Sequence, residues 1–239
     1  MRRHRSRVLA GIAITVLLAG SSACGSSQSD EARSPITVFN VAADPAANIP
    51  TTVPGHAVTL TAAQVRTTLN SLLAAHATLV GELMHEVGRG NDHPTAAIAA
   101  LTANTQSLTD AIAVIYGTDG ARAFAQLWEQ HTQFFIDYAW ADRTKSGSEK
   151  ALSLRRLLDY QRDFASFVST ATANGASLIA VTDLLHTHVH DLTGYIDADT
   201  AGHRATARRL LAQSVTHMHV IATAIADAIA AQHLSTVTP

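Results

Sequence analysis

The stretch VTDLLHTHVHDLTGYI, residues 181–196, carries His186, His188 and His190 within five positions. Imidazole is the commonest protein ligand for transition metals, and it exchanges protons near neutral pH. On a helix the three histidines divide. His186 and His190 are four apart and share a face, whereas His188 points elsewhere. The apolar pattern decides which of them turns inward. Val181, Leu184 and Leu185 precede His188 with the spacing apolar-x-x-apolar-apolar-x-x-His, and Leu192 continues the stripe beyond it. This spacing selects His188 for the interior and leaves His186 and His190 as a solvated pair.

The same octet recurs. Leu69, Leu72 and Leu73 lead to His76, with Leu79 and Val80 following. Phe124, Leu127 and Trp128 lead to His131, with Phe134 and Phe135 following. Weaker versions place Gln161 after Leu154, Leu157 and Leu158, and Asn104 after Ala97, Ala100 and Leu101. A third places Met218 after Leu211, Ser214 and Val215, flanked by His217 and His219. A buried imidazole without partners costs about 1–3 kcal/mol. Two accounts are open. Either each histidine bonds a buried polar group and the layer sets helix register, or His76, His131 and His188 converge on a metal ion. His217 or Met218 would then be the fourth ligand, and Asn104, Gln161 and Tyr138 would support the ligands from behind. Three imidazoles with a fourth or open position suit copper or zinc. Cys24 is the only cysteine, so the body of the protein forms neither an internal disulfide nor a thiolate metal site.

Other motifs are weaker. Glu82-x-x-His85 has the spacing of di-iron carboxylate bundles, but those need it twice, and these residues lie off the apolar stripe. His217 and His219 stand about 200° apart on a helix and cannot aim at one centre. Trp128, Phe134, Tyr138 and Trp140 read as core or groove aromatics. The sequence contains no phosphate-binding glycine loop, nucleophile elbow or triad-like arrangement.

Six helices would position these residues, over 62–88, 94–116, 120–144, 148–172, 177–198 and 203–233. Thr61 and Gln64 form a capping box for the first, and Pro94 opens the second. YGTDG separates the second from the third, and Asn174-Gly175 gives the fourth a left-handed end. Ser177 caps the fifth. The last helix is rich in alanine and reads as too polar overall to span a membrane. Short connections make neighbours antiparallel, so the fold class is all-α, an antiparallel bundle over 61–235. LLAAH and LLHTH, each opening a helix pair, suggest a degenerate helix-pair repeat.

Of the 239 residues, 47% are hydrophobic and 15% charged, with a net charge of −2. That is enough apolar surface for a sizeable core, and too little basic charge for a nucleic-acid partner. MRRHRSR followed by the apolar VLAGIAITVLLAG and the small residues SSA reads as a secretory signal peptide over 1–23. Cys24 directly follows, as in bacterial lipoproteins, although Ser21 stands where such signals favour leucine. The expected protein is therefore extracytoplasmic and anchored to the cell membrane through a lipidated Cys24; the alternative is that it is secreted. The Ser- and Pro-rich stretch 24–60 reads as a linker.

The segments LLAAHATLV, LTANTQSLTDAIAVIYG, LWEQHTQFFIDYA, LLHTHVHDLTGYIDA and SVTHMHVIATAIADAI resemble, in order, a secreted all-helical domain of Gram-positive envelope proteins. That domain is often labelled "copper amine oxidase-like". Its pattern falls on His76, Asn104-Thr105, Leu127 to Tyr138, His188 to Asp191, and His217-Met218. Asp191 and then Leu192 stand where the pattern has leucine. The resemblance implies an envelope location and an importance for these histidines. It implies no reaction, since the Asn-Tyr pair from which amine oxidases build their quinone does not occur here. The expected function is a non-enzymatic domain that binds a metal ion, copper or zinc, or a small ligand. The alternatives are a metal-dependent enzyme at the same histidines, or an envelope scaffold module whose histidines only specify packing. Partner proteins are not legible in the sequence.

Overall fold

The computed structural model describes residues 61–234. The signal peptide, Cys24 and the linker lie outside the described residues. Within them the chain is all helical: α1 spans Ala62–Gly88, α2 Thr95–Arg143, α3 Gly147–Ala171, α4 Leu178–Thr200 and α5 Arg204–Leu234. Thr61 has extended φ/ψ and accepts from the Gln64 amide, while the Gln64 side chain returns to the Thr61 N–H. The expected capping box is therefore present, and it satisfies two amides that a bare helix start leaves open.

The second and third predicted helices are one run, α2, broken at Gly117 rather than by a loop. Gly117 has φ 73° and ψ −178°, a conformation essentially confined to glycine. The YGTDG signal is thus a kink, and five helices stand where six were expected. At the end of α3 the left-handed residues are Ala173 (φ 50°) and Asn174 (φ 65°), one position earlier than the Asn-Gly pair suggested. Ser177 occupies the N-cap of α4, but its side chain makes no capping bond.

α1 packs against α5 and α2, α2 against α3, α3 against α4, and α4 against α5, closing a ring of helices. α4 also reaches α1 and α2 across the middle. Tyr195 donates a 2.8 Å hydrogen bond to the Gly81 carbonyl and ties α4 to α1. Within Arg204–Gln232 of α5 one 18-residue window is long and apolar enough to cross a membrane, as the core helix of a folded bundle also is, and 44% of that window is buried in the bundle.

The interior consists of two apolar clusters. One holds Leu69, Leu73, Trp128, Phe164, Leu185 and Met218. The other holds Val80, Leu83, Phe135, Leu157, Val189 and Leu192. His131 on α2 and His188 on α4 lie between the two clusters, and His76 on α1 lies at the edge of the first, next to Ala77.

Candidate functional site

The three octet histidines are buried, with His76 at 0%, His131 at 3% and His188 at 5% exposure. His186 and His190 are exposed, as is Glu82. His85 is half-buried and its Nδ1 lies 2.7 Å from Asp199, away from any second Glu-x-x-His. The apolar stripe therefore separated inward from outward histidines. On α3 it did so less well. Leu157 and Gln161 are buried, but Leu154 and Leu158 are exposed. That helix turns Tyr160 and Phe164 inward instead.

His76 and His131 meet directly, Nε2 to Nε2 at 3.2 Å. Their protonation follows from the groups behind them. The Leu72 carbonyl can only accept, so the Asn104 amide nitrogen donates to it at 3.0 Å. Asn104 Oδ1 then faces His76 Nδ1 at 3.3 Å and must accept from it. His76 accordingly carries its proton on Nδ1 and presents a bare lone pair from Nε2. Asn104, the predicted supporting residue, thus fixes one tautomer. His131 Nδ1 makes no hydrogen bond of good geometry. The Trp128 carbonyl is still close enough to favour a proton on His131.

Burial holds all three imidazoles neutral. It pulls His76 down to about 4, against a smaller opposing effect of the Asn104 bond. Burial and then the neighbouring His76 and His188 hold His131 well below the usual histidine value. Burial, with His76 and His217 nearby, brings His188 down to about 3.

The remaining predicted residues divide. His188 Nδ1 is 3.3 Å from the Ser214 hydroxyl, a buried partner whose role the spacing did not suggest. Met218 is buried and lines a cavity together with His131 and His188. His217 donates from Nε2 to the Leu184 carbonyl at 2.8 Å, which engages the nitrogen best placed to reach another helix. Gln161 is buried with its Nε2 unpartnered. Tyr138 belongs to a different network. Its hydroxyl bonds Asp197 at 3.0 Å, and its ring lies under Lys150, whose Nζ is 2.7 Å from Asp142 and 2.8 Å from Asp197. Burial works against the Lys150 charge, but those two carboxylates outweigh it and raise its pKa. The network ties the ends of α2, α3 and α4, and Tyr138 is engaged there rather than by a histidine. Among the described residues, no three His, Cys, Asp or Glu side chains converge on one point.

The cavity is lined by aromatic and aliphatic side chains from every helix, and about 50 Å³ of it admits a water-sized sphere. Trp128 packs against both imidazoles, its ring 4.5 Å from His76 and 4.6 Å from His131. Tyr160 stacks on His131 at 4.8 Å. Compared with protein-family models, with curated proteins and with solved structures, the chain matches none.

Proposed function

We propose that this protein is an envelope-anchored binding protein whose helical bundle takes one metal ion, copper or zinc, at His76 and His131. The observation that carries the reading is the pair of facing Nε2 atoms. Without a metal, His131 donates its Nε2–H to the bare His76 Nε2 across 3.2 Å; a cation between the two nitrogens would take that proton's place, the His131 proton then sitting on Nδ1, beside the Trp128 carbonyl. Two nitrogens bound to one tetrahedral zinc stand about 3.3 Å apart, given metal–nitrogen bonds of about 2.0–2.1 Å. The outer nitrogen of His76 is held by an oxygen acceptor, as in metal-bound imidazoles generally. The rings are neutral, so binding displaces no proton. His188 does not converge with this pair; the Met218 thioether lies on the same cavity wall as His131 and would favour copper. The metal would supply Lewis-acid or redox capacity there, while the chain's own residues orient the ligands and exclude bulk water. The signal sequence, Cys24 and the family resemblance support an extracytoplasmic, membrane-anchored location.

The scaffold reading has its own support in the bonds of His188 to Ser214 and of His217 to Leu184, which satisfy these rings without any ion. Metal analysis of untagged protein separates the two. The expected result is about one copper or zinc per chain and a thermal shift on adding that ion. His131→Ala should abolish both, and His186→Ala with His190→Ala should change neither. No stoichiometric metal and no thermal shift with either ion would leave the scaffold reading standing. A coordination position open to water would extend the proposal to metal-dependent catalysis.

A further inference from the structure

The two apolar clusters are packed unequally. Val80, Leu83, Leu101, Phe135, Leu157 and Leu192 of the second are each at 0% exposure. Leu73, Ile112, Phe124, Phe164, Phe167 and Val168 of the first each keep 3–7%, and all six line the cavity. The helix ring explains the difference. α5 packs closely against α1 and α4, yet it faces α2 and α3 across this space. Protein interiors are normally close-packed, and atoms beside a void forfeit dispersion contacts that a guest would restore.

The space is long and narrow. On α5 its wall is the stripe Met218, Ile221, Ile225 and Ile229, and on α3 it runs from Tyr160 to Thr172. At about 1.5 Å per residue, both stripes are about 16–18 Å long. About 50 Å³ is open to the centre of a water-sized sphere. Spread over that length, this leaves the centre about 1 Å of play around the axis, and with the sphere's own 1.4 Å the bore has a radius of about 2.4 Å. Carbon atoms in contact stand about 3.5–4.0 Å apart, so one methylene chain fits this bore and a ring or branched body does not. No Asp, Glu, Lys or Arg lines the space, and Thr172 and Tyr116 are engaged with the Val168 carbonyl and Gln232. A charged head would therefore stay outside. The end far from the histidines lies at the α3–α4 turn, where a Cβ on Gly175 would stand 3.4 Å from the Ala228 carbonyl. Just past that turn Leu178 and Ile179 are 46% and 72% exposed. The chain preceding Thr61 reaches the bundle at the same end, since Arg66 pairs there with Asp227.

We infer that this seam takes one unbranched acyl chain, threaded from the α3–α4 turn toward Met218, with its polar head left at the turn beside Leu178 and Ile179. The length agrees with what an acyl chain spans in half a bilayer, about 15 Å. The inference does not rest on the metal proposal. From Ile221 to Ile229 the wall holds no candidate ligand, and only the methyl end of the chain reaches the level of Met218, His131 and His188.

Chelator-treated protein with ¹³C-labelled isoleucine methyls is titrated with hexanoate, octanoate and decanoate below their micelle concentrations. The expected result is a saturable shift of Ile221, Ile225 and Ile229, with Ile136 and Ile196 of the second cluster fixed. Affinity should rise about fourfold per added methylene. 1-Adamantanecarboxylate, with the same charge and a similar carbon number in a cage, should shift none of these signals. Ala171→Leu, which narrows the bore, should weaken decanoate at least tenfold; the fatty-acid series on the unaltered protein decides without it. Decanoyl lysophosphatidylcholine separates the sources of the chain: binding admits membrane lipids, and no binding confines the site to free fatty acids, the chain being the recognised part in both cases. Shifts that never saturate, shifts of equal size in both clusters, or equal binding of the adamantane acid would overturn the inference. Because no metal is present, such a failure leaves the metal proposal untouched.

Discussion

At the scale of single residues, Asn104 determines the chemistry. Its amide is oriented by the Leu72 carbonyl, which leaves its oxygen for His76 and forces the His76 proton to Nδ1. Replacing it with leucine, of similar size, removes the acceptor but keeps the packing. The His76 Nδ1–H then loses its acceptor, while the Leu72 carbonyl keeps only its bond within α1, and stability should fall by about 1–3 kcal/mol in a urea melt of metal-free protein. If the histidines bind metal, Asn104→Leu should also weaken affinity about 10–100-fold, the usual effect of removing such a support. A variant that loses stability while keeping full metal affinity would show that Asn104 serves packing alone. His76, His131 and His188 were legible from the octet because periodicity reports which face is buried. Ser214 was not marked as a partner, because a small hydroxyl in an apolar stripe looks like filler until the histidine opposite it is known. Trp128 is legible in the sequence only as a core or groove aromatic, and nothing in the spacing singles out Tyr160. Sequence cannot say that their polar atoms lack partners.

Among the elements, the instructive departure is α2. Gly117 was read as part of a loop, yet helical geometry resumes at once, and the change of direction is concentrated in one residue at φ 73° and ψ −178°. Propensity recognises a breaker but not how quickly the helix recovers, since recovery depends on tertiary packing. Here Tyr116 and Ala121 on either side are buried in one cluster. The kink lets one chain segment place Asn104 behind His76 and carry His131 in front of it. Gly117→Ala puts a Cβ into a region that only glycine occupies freely, so it should destabilise the bundle by about 1–3 kcal/mol, measured by chemical denaturation. The same substitution at Gly147, where an added Cβ meets nothing within 4 Å, should cost far less; equal losses would mean that the Gly117 conformation is not required. α3 follows the octet only in part: Leu157, Gln161 and Phe164 keep its spacing and are buried, whereas Leu154 and Leu158 lie at the exposed edge and Tyr160, one position before Gln161, turns inward instead.

For the molecule as a whole, the consequence is a stability that depends on keeping a layer of neutral histidines between two apolar clusters. An unfolded histidine titrates near 6.5, whereas in the fold burial holds His76 to about 4, His188 to about 3 and His131 well below normal. Below about pH 6.5 the unfolded chain takes up protons that the folded one refuses. Stability therefore falls as the pH drops from about 6.5 toward the folded values, and above 6.5 these groups contribute no slope. Each histidine adds about 1.4 kcal/mol per pH unit within that window. Three together give roughly 4 kcal/mol per unit, a large part of the 5–15 kcal/mol typical of whole domains. Urea melts of metal-free protein at pH 7, 6 and 5 should show unfolding free energy declining ever more steeply. His188→Asn should cut that slope by about a third, since it removes one of three proton-binding groups from the difference. A bound metal should steepen the decline, because the acid-unfolded chain releases the ion as its imidazoles protonate. Unfolding free energies at pH 5 and pH 7 that agree within error would show that the histidines are charged or hydrated in solution, and the account of the neutral layer would fall with them.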